Sequence, residues 1–559
     1  MTRLVLLGLP LLPSLAAAGS VVAAPQNRTC KLTPHDAAWP SNEDWSALNA
    51  SIAGTLIRTT PAASSCYPGN PFNALTNCTD VTAHWSYAAY HAAWPESVDY
   101  SIYTTIRVFR LGLTATTEEQ IGIAMKWADE RDIRIVVKGT GHDMNGRSTG
   151  AYALSIWTHN LNHFRHDPAW RIPGTNSTAN VAILGSGNNW GSAYTAVHKI
   201  SRTLVGGEDA THSLYQVTVI TPDGRRLIAN DVQNKDLFWA VRGAGGGQFG
   251  VVTEFVLATH PVPETVVSGG LTFPVGADHS NLSEASWDAL VETARSIPDL
   301  MDWGLTGTIM ALTGAQSNSL LGLSINGTLP GVAGVISLTG FNTTIAAMNT
   351  TVNDLAVRLL TAAGKKVTIT PQTLQPVLRR KQLDQQPSAR PPRASRHPAR
   401  RSRHYLRQIL TPATGSSGSM ALFGLQGGPG TSSVPELRRG SVHPAWRRAY
   451  AHLMTYGAPV NASADASMAL KNEVDWYEKH IEPVWREWTG VNGGSYANQG
   501  NVFSSTWKED FYGPRNSEIY ERLLKIKRKY DPRESLFVWG GVGGDEWDYD
   551  LHTGLLCRV

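Results

Sequence analysis

Between residues 103 and 262 short apolar runs alternate with helical repeats. Thr116-Thr-Glu-Glu119 reads as a capping box that opens a helix to Arg131, with Ile121, Met125 and Ala128 on one face. A strand is predicted over Ile133–Val137, followed by short strands over Leu154–Trp157 and Val181–Leu184 and a helix over Trp190–Ile200. Tyr215–Ile220 and Arg226–Ala229 flank the turn Pro222-Asp-Gly224 and predict a hairpin. Asp236–Arg242 reads as a short helix, and Val251-Val-Thr-Glu-Phe-Val-Leu as a strand.

From Pro261 the pattern changes. Helices are predicted over 283–297, 342–363 and 468–488, and strands over 305–312, 319–325, 366–371, 419–425 and 450–456. Long helices among short β runs predict an antiparallel sheet with helices on one face, hence an α+β fold. From residue 490 the texture changes once more, to Gly493, Gly494, Tyr496 and Asn498, a helix over 516–530 and a Trp-rich tail.

A chain of 559 residues is too long for one core, so two or three domains are expected. Arg3, the apolar run Leu4–Ala18 and the small residues up to Ala24 predict a secretory signal peptide over 1–24. No later run is long enough to span a membrane. Nine Asn-x-Ser/Thr sites, at Asn27, Asn49, Asn77, Asn176, Asn281, Asn326, Asn342, Asn349 and Asn461, fit an exported chain carrying N-glycans. In an oxidising compartment Cys66 and Cys78 are the easiest pair, and Cys30 can join Cys557 or either of the others.

The net charge of +4 hides a local excess. Residues 379–407 hold ten Lys/Arg against the single Asp384, so the rest of the chain is acidic. With Tyr405 as its one aromatic this run does not read as a nucleic-acid patch, and its Pro, Ser, Gln and Arg predict a disordered basic insert.

The most chemical stretch is Val137-Lys-Gly-Thr-Gly-His-Asp-Met-Asn-Gly-Arg-Ser-Thr-Gly150, four glycines around His142. Glycine at this density lets backbone approach a large ligand and leaves N–H groups to face phosphates. Gly243-Ala-Gly-Gly-Gly-Gln-Phe-Gly250 matches G-x-G-x-x-G, but a helix precedes it and a strand follows. That order excludes a Rossmann loop and leaves a glycine turn against a different cofactor. His159, His163 and His166 suggest a metal, but no carboxylate or thiolate clusters beside them, and no metal is expected. No Gly-x-Ser-x-Gly elbow is present.

The His142 loop, Leu154-Ser-Ile-Trp-Thr-His-Asn160, Val205-Gly-Gly-Glu-Asp209, the run Asp236–Thr253, Tyr496-Ala-Asn498 and Tyr530-Asp-Pro532 together resemble the berberine-bridge-enzyme-like FAD-linked oxidoreductases, especially secreted fungal members. The resemblance implies a bipartite FAD-binding domain of the vanillyl-alcohol-oxidase (PCMH-type) fold with an inserted substrate domain. Its expected parts are an N-terminal segment over 25–102, the FAD-binding domain over 103–262, the substrate domain over 263–489, and a segment over 490–559 that returns to the flavin. His142 is then the covalent attachment point for the flavin 8α carbon. Lys138, Gly139, Thr140, Gly141, Asp143, Gly146, Arg147 and Ser148 would line the cofactor. So would Gly206, Gly207, Gly246, Gly247, Phe249, Gly250 and Val251. Tyr496 and Asn498 would serve both cofactor binding and catalysis at the reacting face. A second link through cysteine has no candidate between Cys78 and Cys557.

The resemblance implies an oxidase that moves hydride from an alcohol, carbohydrate or specialised metabolite to flavin N5, then to O₂, with the catalytic base unassigned. A dehydrogenase with another acceptor is one alternative. A flavin-free secreted glycoprotein, or the product of a faulty gene model, is another. It is motivated by three departures from the family pattern: a loop missing after His212, a short segment at Tyr103–Leu113 and the run 381–407.

Overall fold

The computed structural model describes residues 29–61, 63–67, 69, 76–85, 87–97, 111–143, 145–206, 214–273, 282–315, 317, 331–365, 368–379, 399–410, 418–456, 466–490 and 493–559. Gly207, the junction after His212, the segment Tyr103–Phe109, the run 319–325 and most of the basic insert lie outside them.

Three large cores organise the described residues. In the first, strands Leu56–Arg58, Leu111–Thr114, Leu154–Trp157 and Ile135–Lys138 form one sheet in that order. Leu154–Trp157 pairs parallel with both of its neighbours. Helix Glu118–Glu130 covers the sheet with Ile121, Ala124, Met125 and Ala128. Its cap is one residue later than the sequence suggests: Thr117 and Gln120 make the capping box. Helix Asn42–Ser51 packs outside it through Trp45 on Trp127, with ring centroids 4.5 Å apart.

In the second core an antiparallel sheet runs in the order Phe164–Arg171, Thr178–Gly185, Val251–Ala258, Leu214–Ile220, Arg226–Asn230. The edge strand Phe164–Arg171 escapes a sequence reading because it contains Asp167 and Pro168 and shifts register between Asp167 and Trp170. Proline is tolerated at such a bulged edge because no ladder N–H is needed there. Helices Trp190–His198 and Lys235–Val241 pack on this sheet. So do Phe511, Tyr512, Leu523, Ile526 and Tyr530, from helices Trp507–Tyr512 and Ile519–Tyr530 near the C-terminus.

The third core lies under a six-stranded antiparallel sheet. Its order is Thr370–Arg379, Thr265–Phe273, Ala333–Phe341, Leu305–Leu312, Met420–Leu425, Ala451–Tyr456. Ile309, Ala311, Ile336, Leu338, Ala421, Phe423 and Leu425 face helices Leu282–Asp302, Ile345–Ala362 and Glu482–Thr489. The alternate residues Thr308, Met310, Ser337, Thr339, Leu422, Gly424 and His452 lie on the other face. The helix predicted over 468–488 is two helices, Ala466–His480 and Glu482–Thr489, because Pro483 has no N–H to continue the first.

One expectation needs correction. Arg379 pairs with Thr265 in the edge strand, and Ala399–Leu410 is a helix. Tyr405, Leu406, Ile409 and Leu410 are buried in the third core. Arg403 pairs with Glu284 and Asp288, Arg407 with Glu284, and the Tyr405 hydroxyl donates to Glu487 at 2.7 Å. The cations of this stretch mask an amphipathic helix whose partners sit far away in sequence, so a disordered insert does not extend over 399–407.

Both disulfides are Cys30–Cys557 and Cys66–Cys78. The first joins the two ends of the described chain, beside a hydrogen bond from Lys31 N–H to the Leu556 carbonyl at 2.8 Å. No helix among the described residues is long and apolar enough to cross a membrane.

Candidate active site

The loop after Lys138 is organised by one carboxylate. Asp143 Oδ1 accepts the backbone N–H groups of Asn145 and Arg147, both at 3.0 Å. Its Oδ2 accepts Arg147 Nε at 2.8 Å and Nη2 at 2.7 Å, a two-pronged charged contact with both side chains mostly buried. Burial opposes the Arg147 charge, but Asp143 outweighs it and holds the guanidinium pKa above its usual value. Gly141 and Gly146 have φ of 91° and 68°, so the chain can double back around His142. His142 itself is exposed.

The second glycine loop is built from below. Lys527 is buried, and its ammonium donates to the Gln248 carbonyl (2.8 Å), the Leu536 carbonyl (2.7 Å) and Asp531 Oδ2 (2.7 Å). The Gln248 side chain donates to the Ala244 carbonyl and accepts the Val542 N–H at 2.6 Å. Gly245 and Gly247 have φ of 92° and 69°. At Gly250 a Cβ would fall 2.5 Å from the Ile220 carbonyl oxygen, so only glycine fits.

A third element meets the first. Asn145 Nδ2 donates to the Ala497 carbonyl at 2.9 Å, which ties the His142 loop to the Tyr496-Ala-Asn498 turn. Tyr496 stands edge-on to His452 (5.7 Å between centroids) and to Trp446 (6.3 Å). His452 lies on the face of the third sheet opposite the helices of its core. Burial drives its imidazole pKa down to about 4, so it is neutral near pH 7. The histidine loop, the tyrosine turn and this sheet face therefore converge from three parts of the chain.

The residues fit a large phosphate-bearing cofactor. Arg147 Nη1 is buried without a partner, and a Cβ on Gly245 would lie 3.5 Å from it. That is a spare donor beside a glycine cradle. Gly246 has nothing within 4 Å of where a Cβ would stand, so its backbone faces open space. Two family models match within the chain, and a relative aligned along nearly all of it decides the family. The FAD binding domain family matches residues 110–219, and the berberine and berberine-like family matches residues 495–537.

The chain belongs to the VAO-type FAD-linked oxidoreductases. It is 30% identical to VAO-type flavoprotein oxidase VAO615 of Thermothelomyces thermophilus, over 98% of this chain and 99% of that protein. The alignment spans 616 positions, more than this chain has residues, so the relative carries segments that are missing here. The crystal structure of VAO-type flavoprotein MtVAO615 from Myceliophthora thermophila C1 superposes with a TM-score of 0.74 at 25% identity, covering 95% of this chain and all of that one. Glucooligosaccharide oxidase from Acremonium strictum shares the fold with a TM-score of 0.54 at 17% identity, over 78% of this chain and 92% of its own. The chain is thus an oxidoreductase that uses FAD.

Within this family frame the expected site residues divide. His142, Asp143, Arg147 and Tyr496 gather as described, and Asn498 is half-buried in the same turn. Gly139 and Gly246 leave open backbone. Ser148 is half-buried beside Arg147, and Thr140 lies in the bend before Gly141. Gly206 packs on Tyr194 and Trp190. Lys138 does not serve the cofactor with its side chain. Its ammonium is buried under Trp157 and donates to the His91 carbonyl at 3.3 Å and the Trp94 carbonyl at 2.5 Å. The side chains of Phe249 and Val251 likewise fill the second and first cores. The three histidines diverge: His159 stacks on Trp157, His163 pairs with Glu254 at 3.1 Å, and His166 meets Asn180 at 3.0 Å. Asn145, Trp446 and His452 escaped the sequence reading. Only the alternation of His452 with Ala451 and Leu453, which pack toward the helices, signals its face.

Proposed function

We propose that the chain is a secreted flavoprotein oxidase acting on an alcohol, carbohydrate or specialised metabolite, with O₂ as final acceptor. The observation that carries this reading is the convergence of the His142 loop, the Tyr496–Asn498 turn and the sheet face that bears His452. When bound, FAD supplies the hydride acceptor at N5, and its reoxidation by O₂ yields peroxide. His142 offers the covalent attachment point, and the Asp143–Arg147 pair fixes the loop that presents it. Tyr496 and Asn498 lie where a turn tied to that loop meets the substrate domain. The sheet face opposite them supplies the substrate wall.

A 6-S-cysteinyl, 8α-N1-histidyl FAD belongs to the glucooligosaccharide oxidase of Acremonium strictum. Here all four cysteines are in disulfides, so only the histidyl link has a candidate. Two disulfides and exposed sequons at Asn77, Asn176, Asn342 and Asn349 support export with N-glycans.

The purified protein is expected to show a flavin spectrum and to keep yellow fluorescence after acid precipitation. His142→Ala should lose the acid-stable fraction. A colourless protein favours the flavin-free glycoprotein instead. Peroxide released during turnover separates an oxidase from a dehydrogenase. An endoglycosidase should lower the apparent mass of the exported protein.

A further inference from the structure

Gly424 and His452 are directly opposite each other on neighbouring strands Met420–Leu425 and Ala451–Tyr456. Opposite residues in an antiparallel pair point to one face, with Cβ atoms roughly 5 Å apart. At Gly424 there is no side chain. The place where its Cβ would stand is taken by the amide of Gln426, which folds back to within 2.9–3.1 Å of it. Glycine at 424 thus makes room for Gln426 to lie beside His452, on the face where His452 meets Tyr496 and Trp446.

Gln426 Oε1 is buried and has no hydrogen-bond partner. An amide oxygen left so has given up its water with no donor in return. Gln499 Oε1, in the turn that carries Tyr496, is a second buried acceptor without a partner. Both belong to segments that meet around His452 and Tyr496. Unused acceptors beside a neutral imidazole and two aromatic rings suit a ligand that brings its own O–H donors and an apolar ring face. They do not suit a carboxylate or phosphate.

We propose that Gln426, held over Gly424 beside His452, is a substrate-binding residue that accepts a hydrogen bond from a hydroxyl group of a neutral, hydroxylated ring substrate. This rests on the oxidase reading above and names its substrate class. Gly424 is the positioning residue, because any side chain there displaces the Gln426 amide.

The test uses the flavin-loaded full chain and follows peroxide release over xylobiose, cellobiose, glucose and benzyl alcohol. Turnover of at least one of these by the parent protein is expected. Gln426→Met, which keeps size and removes the acceptor, should raise KM for that substrate about tenfold with kcat within about threefold. Gln426→Glu keeps acceptor oxygens and should recover most of the KM. Gly424→Ala should raise KM in the same way with flavin content intact. A merely structural Gln426 predicts the reverse pattern: Gln426→Met leaves KM unchanged and raises Tm, because a buried unpaired acceptor has been removed. That result overturns the proposal while leaving the oxidase reading in place. A preference of the parent protein for an anionic compound such as gluconate over all four probes also overturns it. Absence of flavin from the parent protein overturns the oxidase reading and this site with it.

Discussion

The two glycine-rich loops look alike in sequence and are held in opposite ways. The loop over 243–250 is fixed from the protein interior: Lys527, Asp531 and Gln248 are all buried, and their contacts are mainly to backbone groups, with Lys527 paired to Asp531 and Gln248 reaching the Tyr512 hydroxyl. The loop over 139–150 is fixed by its own Asp143–Arg147 pair and by one contact to Ala497, and it leaves His142 exposed. The first loop is a foundation whose chemistry is spent on folding. The second keeps a reactive group at the surface by spending its neighbours on shape.

The largest expected effect breaks the foundation. Lys527→Met strands the buried Asp531 carboxylate and two carbonyls, and should cost about 3–5 kcal/mol in urea unfolding, with flavin lost in parallel. Asp143→Ala removes the partner of a mostly buried guanidinium, and should cost about 3 kcal/mol and abolish acid-stable flavin.

A pH titration of stability sharpens the contrast, because the reactive side carries two buried groups displaced in opposite directions. His452 is lowered by burial to about 4. Glu482 is raised to about 7, chiefly by burial, with Asp510 and Glu478 adding to it and Arg486 opposing. The Glu482 network reaches the tyrosine turn through Arg486, Ser504 and Asp510, whose carbonyl accepts the Ser495 N–H at 2.6 Å. Below pH ~6.5 the unfolded state protonates His452 and the folded state does not, so this group removes stability as pH falls toward 4. Above pH ~4.5 the unfolded state releases the Glu482 proton that the folded state keeps, so that group removes stability as pH rises toward 7. Between those limits the two slopes cancel. Glu482→Gln should therefore give a stability that rises with pH from 4 to 6.5 relative to the parent protein, by up to about 3 kcal/mol. No change in slope would refute the raised pKa of Glu482.

The smallest effect is at the reactive residue. His142→Ala should change unfolding free energy of the flavin-free protein by less than about 0.5 kcal/mol, because an exposed side chain is removed. A larger loss would make the second loop a foundation as well.

Both loops were legible in the sequence because glycine spacing is local, and so was the Tyr496 turn. In the third core helices 282–302 and 345–362 and strands 305–312, 420–425 and 451–456 were legible through their periods, whereas strands Thr265–Phe273 and Ala333–Phe341 were not read at all. What joins them was not. Asn145 reaches Ala497 across 352 residues, and nothing near either position marks the contact. Gly424 lies inside the strand predicted over 419–425, and nothing in that run marks the Gln426 amide that takes the place of its side chain. Lys138 looked like part of the cofactor loop because it adjoins it, yet a strand residue points away from the loop that follows. The helix over 399–410 was hidden because arginines whose partners are remote resemble arginines that have none.

Cys30 and Cys557 are separated by 527 residues, so the disulfide between them turns nearly the whole polypeptide into a covalent ring. A single protease cut inside that ring opens it but releases no fragment. In a compartment rich in proteases and poor in thiols, a nicked molecule would travel as one piece through sizing columns and dialysis, and its damage would show only after reduction.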